Sequence, residues 1–354
     1  MKNNKIICFI DSFSSGGAQK QMVMLANGLS KVYDVKTLQY HDLNFFANKL
    51  DPTITQNKII IKNKLSRIIS IIYYLYKENP NTIISFLAGP CNYAALYKML
   101  FFWRKTKFIV GERNLNIGEI KFKDLLIRFS HIFADVIICN SNAQKEKLKF
   151  YFSRKIHFIP NGTNAPNIEL KKYESNNFTV NKKLIVPARF IDQKNPLNLL
   201  KALNKVEGIT IYWYGELFKN YEIYDVCMKY IETNNLNNKF VLMPVNNNIY
   251  NEMIKYDALI LPSFYEGCPN AIIDAMYCGL VVLASNVSDN AIYLNHQKEL
   301  LFDPYSVEDI VSKLNYFQTL EIEKCNEVGK ENIQKANDFF NPEEMISSYL
   351  KFIK

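Results

Sequence analysis

Two acids that follow an apolar run are the residues best suited to chemistry in this sequence. Glu266 and Asp274 come after Ala258–Leu261, a run typical of a buried strand. Pro269 suits the start of a helix and Gly279 suits its end, which predicts Glu266 in a loop and Asp274 about one turn into that helix. Carboxylates accept hydrogen bonds from sugar or ribose hydroxyls. The alternative is that Glu266 caps the helix and Asp274 is solvated.

Two cations, Arg189 and Lys194, come after another apolar run, Leu184–Val186. They precede a helix that Pro196 can open. An arginine and a lysine that converge on a helix N-terminus can bind a diphosphate, the arginine bidentately and the lysine as a point charge. The alternative is a solvated surface loop.

A glycine pair, Gly16 and Gly17, lies between the apolar run Ile6–Ile10 and a helical pattern that begins near Ala18. A strand-to-helix turn without a Cβ lets a ligand approach, and the backbone N–H groups at the helix start attract anions. The alternative is a tight turn that binds nothing. The segment lacks the G-x-G-x-x-G spacing of dinucleotide folds, which argues against a dehydrogenase.

Strands are needed to position these segments, and the chain contains two series of candidate strands. Short β-branched or aromatic runs alternate with longer helical patterns, which is the signature of parallel α/β sheets. A polar stretch at 161–183 separates the two series. The first comprises Ile6–Ile10, Val35–Leu38, Thr82–Phe86, Phe108–Val110, Val136–Cys139 and Ile156–Ile159, and the second comprises Leu184–Val186, Ile209–Tyr214, Phe240–Leu242, Ala258–Leu261 and Leu280–Ala284. Two α/β domains are expected to face a common cleft, because ligands bind outside the carboxyl ends of such strands.

The composition excludes several classes of protein. The chain has 354 residues, 48% of them hydrophobic, which is enough to bury a large core in about two domains. Its 7 cysteines form no C-x-x-C pair, which indicates reduced thiols in a cytoplasmic protein and no structural zinc. No apolar run has the length of a signal-peptide core or a membrane span. The dispersed histidines, expected to be structural, are His41, His131, His157 and His296.

The charge is unevenly distributed along the chain. Residues 1–170 carry 24 Lys and Arg against 11 Asp and Glu, a net charge of +13, whereas the remainder carries 19 against 23. Cations interleave with aromatic residues in Tyr97–Lys107, Lys121–Phe133 and Lys145–His157, a composition suited to an anionic membrane surface. The alternative is ordinary packing helices with a solvated basic face. Nucleic-acid binding is not expected, because no nucleic-acid-binding module is recognisable.

In their order and spacing, these segments resemble the family-4 (group 1) retaining glycosyltransferases of GT-B fold, over essentially the whole chain. The matching pieces are Ser15–Gln19, Ser85–Leu87, Gly111–Asn114, Ala134–Ser141, Ile159–Gly162, Ala188–Asn195 and Tyr265–Met276. The interpretation divides the chain into an acceptor-side domain at 1–165, a linker at 166–183, a nucleotide-sugar-binding domain at 184–335 and a C-terminal helix at 336–354. The resemblance implies that this helix packs back on the first domain.

The resemblance also implies roles for individual residues. Glu266 would contact hydroxyls of the donor hexose, and Asp274 would hold the ribose. Arg189 and Lys194 would neutralise the departing diphosphate. The other donor-binding candidates are Gly16 and Gly17 in a loop that closes over the substrates, Gly215 and Glu216 in the nucleotide pocket, and the backbone of Gly267, Cys268, Pro269 and Asn270 near the sugar.

Three departures from the family pattern are visible. Asp274 replaces the usual Glu, so the ribose contact is expected to be longer or bridged by water. Many relatives have a catalytic-site His where this chain has Glu112, Arg113 and Asn114. Because Asn114 cannot act as an acid or base, we assign this segment to sugar or acceptor contact. The segment Met243–Asn246 lacks the usual glycine, which leaves the base of the nucleotide open.

The sequence therefore predicts a glycosyltransferase of surface polysaccharide or glycan assembly. It would move a hexose or N-acetylhexosamine, with retention, from a nucleotide-diphosphate sugar to a hydroxyl of a lipid-linked saccharide at the inner face of the cytoplasmic membrane. No D-x-D triplet occurs, so Arg189, Lys194 and helix N-termini are expected to replace a metal, and no cofactor is expected. The rival interpretations are a GT-B-like sugar-nucleotide epimerase or phosphorylase and an inert donor-binding subunit.

Overall fold

The structure is a computed structural model that describes residues 4–113, 129–153, 155–163, 170–174, 180–246 and 248–353. The chain divides into two compact units, one formed by residues 1–162 with 342–354 and the other by residues 163–341. Asn114 and most of the basic stretch Lys121–Phe133 lie outside the described residues.

The first unit is built on a parallel sheet. Its described strands are β1 Lys5–Phe9, β2 Asp34–Gln39, β3 Thr55–Lys58, β4 Thr82–Phe86, β5 Lys107–Glu112, β6 Val136–Cys139 and β7 Ile156–Phe158. They are arranged in the order β3-β2-β1-β4-β5-β6-β7. The helices between them are α1 Gly17–Ser30, α2 Lys64–Glu78, α3 Ala88–Leu100, α4 Phe129–Phe133 and α5 Asn142–Phe152, with a 3-10 turn at Ala47–Lys49. The central strands are buried apolar runs, as parallel strands with both faces covered must be.

The second unit repeats this plan. Its described strands are β8 Lys182–Pro187, β9 Ile209–Tyr214, β10 Phe240–Met243, β11 Ala258–Leu261, β12 Val281–Ser285 and β13 Leu301–Phe302, in the order β10-β9-β8-β11-β12-β13. Its helices are α6 Pro196–Leu203, α7 Glu222–Thr233, α8 Ile249–Met253, α9 Asn270–Tyr277, α10 Asn290–Tyr293, α11 Val307–Gln318 and α12 Ile322–Phe339, with 3-10 turns at Asp192–Lys194 and Asn295–Leu300. All residues of β11 and β12 are buried.

The last helix, α13 (Pro342–Ile353), packs in the first unit against α1. Gly28 permits this contact, because a Cβ there would lie 2.2 Å from Cδ1 of Ile346. Tyr349 is completely buried in the core that the two helices share. The sequence-based boundary at 336 is too early, because α12 continues to Phe339 and residues up to 341 stay with the second unit.

The predicted fold class, two parallel-sheet α/β domains with a returning C-terminal helix, is confirmed. Each apolar run predicted to be a strand lies within or overlaps one. Two strands were not predicted: β3 reads Thr-Gln-Asn-Lys at a largely exposed sheet edge, and β13 has 2 residues. Neither contains an apolar run long enough to recognise. Among the described helices, none is both long and apolar enough to cross a membrane.

Candidate functional site

Neighbouring strands of the second unit bring most of the predicted donor-site residues to one edge of its sheet. Strands β9, β8, β11 and β12 are consecutive in that sheet and parallel, so their carboxyl ends share an edge. The loops that follow them contain, in the same order, residues 215–216, 188–195, 262–269 and 286–289. In open α/β sheets this is the edge at which ligands bind.

The loops after β8 and β11 are joined by hydrogen bonds. The backbone N–H of Phe264 donates to the carbonyl of Gln193 over 2.9 Å, and the Gln193 side chain donates to the carbonyl of Tyr265 over 2.8 Å. Asn195 adopts a left-handed conformation with φ of 54°, and its side-chain amide donates to the carbonyl of Pro262 over 3.1 Å. These hydrogen bonds therefore hold the two loops in a fixed position relative to each other.

Lys194, in the loop after β8, forms an ion pair with Glu266, in the loop after β11. Nζ of Lys194 lies 2.5 Å from Oε1 of Glu266, and the two side chains are 15% and 8% exposed. Glu266 does not cap the following helix, because the N-cap of α9 is Pro269 and has no side-chain cap. The structure thus brings together two predicted site residues, and the solvated-loop alternative is wrong for Lys194.

Arg189 has an exposed side chain, and within the described residues it makes no hydrogen bond or ion pair. Its charge nevertheless acts on the same loop. Burial raises the pKa of Tyr265, Asp192 and Glu266 raise it further, and Arg189 lowers it. The guanidinium is exposed and therefore accessible to an anion.

Gly215 and Glu216 follow β9, the neighbour of β8. A Cβ on Gly215 would lie 1.9 Å from the carbonyl oxygen of Ala188, so only glycine allows the two loops to approach this closely. The carbonyl of Glu216 accepts a hydrogen bond from the backbone N–H of Phe190 over 2.9 Å, while the Glu216 side chain is exposed. Gly215 and the carbonyl of Glu216 therefore contact the backbone on the two sides of Arg189, at Ala188 and Phe190.

The loop before α9 is built as the sequence predicts. Pro269 precedes the first helical residue, Asn270, and Gly279 follows the helix with φ of +71°, a conformation that favours glycine. Cys268 is buried, and the carbonyl of Gly267 accepts a hydrogen bond from the hydroxyl of Ser288 over 3.1 Å.

Asp274 is buried, one turn into α9, and not solvated. Its Oδ1 accepts hydrogen bonds from the hydroxyl of Tyr250 over 2.9 Å and from that of Thr163 over 3.3 Å. Burial raises the pKa of Tyr250, and the adjacent Asp274 carboxyl raises it further. Tyr250 therefore acts as a hydrogen-bond donor that orients Asp274.

The glycine pair of the first unit lies at the predicted strand-to-helix turn. Gly16 is the N-cap of α1, without a side-chain cap, and Gly17 is its first residue. A Cβ on Gly16 would lie 2.2 Å from Oε1 of Gln19, whose amide donates to Oδ1 of Asp11 over 3.1 Å. Gln19 thus folds over the start of the helix.

Glu112 and Arg113 have different environments at the end of β5. Oε2 of Glu112 lies 3.2 Å from Nε2 of His131, an imidazole that is almost fully buried. Arg113 is buried and donates to Oδ1 of Asn161 over 2.8 Å and to the hydroxyl of Tyr349 over 2.6 Å. Its guanidinium also stacks on Phe86 at 3.8 Å from the ring centroid.

The assignment of Arg113 to sugar or acceptor contact is therefore corrected. Its guanidinium is used inside the first unit, where it links the end of β5 to the helix α13. A buried arginine with these partners stabilises the fold, and we do not carry it into the proposed site.

Sequence reasoning missed several residues that shape these sites. Tyr250 is one of 22 tyrosines, and no local pattern marks it or Thr163. Gln193 and Asn195 lie inside a recognised motif, but their role as bridges between loops depends on which strands are neighbours. In the part of the chain that the structure describes, no group of His, Cys, Asp or Glu could hold a metal ion.

This chain is similar to known proteins in both sequence and fold. Residues 167–335 match the family model described as glycosyl transferases group 1. The N-acetylgalactosaminyltransferase of Campylobacter jejuni that acts on N-acetylgalactosamine-N,N'-diacetylbacillosaminyl-diphospho-undecaprenol is 24% identical, over 81% of this chain and 82% of the relative. The UDP-Gal:α-D-GlcNAc-diphosphoundecaprenol α-1,3-galactosyltransferase of Escherichia coli is 28% identical, over 75% of this chain and 72% of the relative.

Solved structures match the whole chain. Anabaena HepE in complex with UDP and glucose has a TM-score of 0.82 and 16% identity and covers 99% of both chains. Sucrose-phosphate synthase from Thermosynechococcus elongatus has a TM-score of 0.80 and 14% identity, over 99% of this chain and 98% of the synthase. These matches show that the chain has the GT-B fold.

Proposed function

We propose that the protein is a retaining glycosyltransferase of family 4. It moves a hexose or N-acetylhexosamine from a nucleotide-diphosphate sugar to a hydroxyl of a lipid-linked saccharide. The observation that supports the proposal is the pairing of Lys194 with Glu266 at 2.5 Å, because a cation suited to a diphosphate and a carboxylate suited to sugar hydroxyls are neighbours in it. The match of residues 167–335 to group 1 glycosyl transferases supports the same reaction class.

The chemistry follows from where charge develops. As the bond to the sugar breaks, negative charge accumulates on the diphosphate and the anomeric carbon becomes oxocarbenium-like, so preorganised cations stabilise the transition state. Arg189 is exposed and can bind the diphosphate bidentately, while Lys194 supplies a point charge. Because these two cations carry that role, we expect transfer to persist after treatment with EDTA.

Lys194 couples the two parts of the donor. An ammonium has three N–H donors, so Lys194 can hold Glu266 and a phosphate oxygen together. Glu266 would accept from hydroxyls of the hexose, beside the backbone of Gly267–Asn270. Asp274, oriented by Tyr250 and Thr163, would accept from the ribose.

The acceptor is inferred from the relatives. Two of them are named for sugars linked to undecaprenol through a diphosphate, and a third relative, like the first from Campylobacter jejuni, is named for a GalNAc-GalNAc-diNAcBac-PP-undecaprenol substrate. We therefore propose a polyprenyl-diphosphate saccharide as acceptor, in surface polysaccharide or glycan assembly at the inner face of the cytoplasmic membrane. Glu112 and Asn114 remain the proposed acceptor contacts, and the Gly16–Gly17 turn remains the proposed substrate-closing loop.

The test incubates the purified chain with individual UDP- and GDP-sugars, with and without a synthetic lipid-diphosphate saccharide. A product one sugar longer with the donor's anomeric configuration, seen by mass spectrometry and NMR, is the expected outcome. Epimerised donor without acceptor would instead identify an epimerase. Saturable donor binding with no turnover on any glycolipid would identify an inert subunit.

A further inference from the structure

Helices α2 and α3 of the first unit enclose an open apolar groove of about 440 Å³. Its walls are aliphatic and aromatic side chains that include Ile69, Tyr73, Tyr76, Leu100, Phe101 and Trp103. On α2, the exposed residues Leu65, Ile69, Tyr73 and Tyr76 follow one another at helical spacing, so they form a continuous outer stripe.

An outer stripe of this kind is unusual for a helix that covers a sheet. Ile71, Ile72 and Leu75 already bury the inner side of α2 in the core. Surface helices normally turn charged or polar residues away from the core. Large exposed apolar patches mark surfaces that dock on a partner or a membrane.

The charge around the groove favours an anionic partner. The segment 59–107, which contains both helices, has eight Lys and Arg and a single acid, Glu78. That acid is already engaged, because Lys5 and Lys36 both pair with it at 2.9 and 2.8 Å. Lys64 and Lys77 are exposed at the two ends of α2.

The structure changes the interpretation of the segment Tyr97–Lys107. Lys98 pairs with Asp135, and Lys107 donates to the carbonyl of Phe352. Arg104 stacks on Tyr76 at 4.1 Å and donates to its carbonyl over 2.9 Å, which ties the end of α3 to α2. Lys105 is exposed, and so are Leu100, Phe102 and Trp103. The segment therefore presents mainly apolar and aromatic surface, with its basic rim contributed largely by α2.

We propose that this groove and its outer stripe, the α2–α3 face, dock on an anionic lipid bilayer. Tyr73, Tyr76 and Trp103 have rings with one polar atom, which suits the boundary between headgroups and acyl chains. The exposed lysines supply attraction to anionic headgroups. The inference extends the proposed function, because a lipid-linked acceptor lies at such a surface, but the docking itself does not depend on glycosyl transfer.

The protein contains a natural fluorescent probe of the α2–α3 face, a tryptophan. It has 2 tryptophans, Trp103 on the α2–α3 face and Trp213, which is fully buried in the second unit. Vesicles of phosphatidylcholine with one third phosphatidylglycerol should shift the tryptophan emission to the blue, and brominated lipids should quench it. Vesicles of pure phosphatidylcholine should produce neither the blue shift nor the quenching, and high salt should abolish both with the anionic vesicles. Trp103→Phe should abolish them, and a signal that survives this substitution overturns the proposal.

Vesicle sedimentation with matched variants locates the surface. Ile69→Ser with Tyr73→Ser should weaken partitioning more than tenfold, and Lys64→Gln should weaken it about fivefold, or about 1 kcal/mol. The control, Val226→Ser with Tyr316→Ser, removes an exposed aliphatic and an exposed tyrosine side chain from α7 and α11 of the second unit. Unchanged binding in the groove variant, or an equal loss in the control, overturns the assignment.

Two further measurements separate this inference from its rivals. If light scattering shows a dimer that the Ile69→Ser, Tyr73→Ser variant dissociates, the face is a contact between copies and the proposal is wrong. Thermal shift with UDP and GDP on the same proteins reports on the second unit. Vesicle binding without nucleotide binding would refute the proposed function alone, and the reverse result would refute docking alone.

Discussion

The hydroxyl of Tyr250 lies 2.9 Å from Oδ1 of Asp274. The two residues come from different helices, α8 and α9, which follow strands at separate positions in the sheet of the second unit. Burial and the charge of Asp274 raise the pKa of Tyr250, so its hydroxyl stays protonated and donates to the carboxylate. Asp274 is one methylene shorter than a glutamate, and this hydrogen bond fixes its orientation.

Replacing Tyr250 by Phe removes the donor and keeps the ring. We expect KM for the nucleotide sugar to rise about tenfold or more with kcat little changed, because a hydrogen bond to a charged group contributes about 1.5–3 kcal/mol. Steady-state kinetics with varied donor measures the change. Tyr256→Phe is the control, since its hydroxyl bonds to that of Tyr214. Equal effects of the two variants would contradict a specific role for Tyr250.

Replacing Glu266 by Gln removes the negative charge beside Lys194. We expect a nucleoside diphosphate to bind several-fold more tightly, because the carboxylate no longer repels the phosphates and Lys194 is no longer neutralised. Turnover should fall about 10²-fold, because the contact to the hexose is weakened. Isothermal titration calorimetry and initial rates separate the two effects.

Glu308→Gln is the matched control for that substitution, since Glu308 pairs with Lys205 on the surface of the same unit. It should change neither quantity. Weaker nucleotide binding in the Glu266 variant would show that Glu266 supports Lys194 instead of competing with the phosphates.

Replacing Arg189 by Ala should lower kcat about 10²–10³-fold, or about 2.7–4 kcal/mol, the cost of losing one preorganised group that stabilises developing negative charge. Arg189 is exposed, so the variant should fold normally. Single-turnover rates at saturating donor measure the effect, with Lys205→Ala as the control. A variant that binds donor normally and turns over at the parental rate would remove Arg189 from the mechanism.

Replacing Tyr349 by Phe should destabilise the first unit by about 1.5–3 kcal/mol, because Arg113 loses the acceptor that lies 2.6 Å from its Nη2. Hydrogen exchange in α13, followed by mass spectrometry, should speed up accordingly. Tyr305→Phe, at an exposed tyrosine, should change stability by less than about 0.5 kcal/mol. Unchanged exchange in α13 would mean that packing alone holds the helix.

The order of strands and helices could be predicted from local pattern. Runs such as Ala258–Leu261 and Val136–Cys139 are apolar on both faces, and that property depends only on residues close in sequence. Gly279 could be placed at a helix end for the same reason, because its positive φ is a local requirement. The strand β3 escaped prediction because an exposed edge strand needs no apolar residues.

Contacts between side chains that are distant in sequence could not be predicted from local pattern. Lys194 and Glu266 are 72 positions apart, and they touch because β8 and β11 are neighbours in the sheet. Arg113 lies in a motif that suggested substrate contact, yet a helix from the other end of the chain draws its guanidinium into the core. Hydrophobic periodicity sets each element and its buried side, whereas strand order and side-chain direction set which charges end up together.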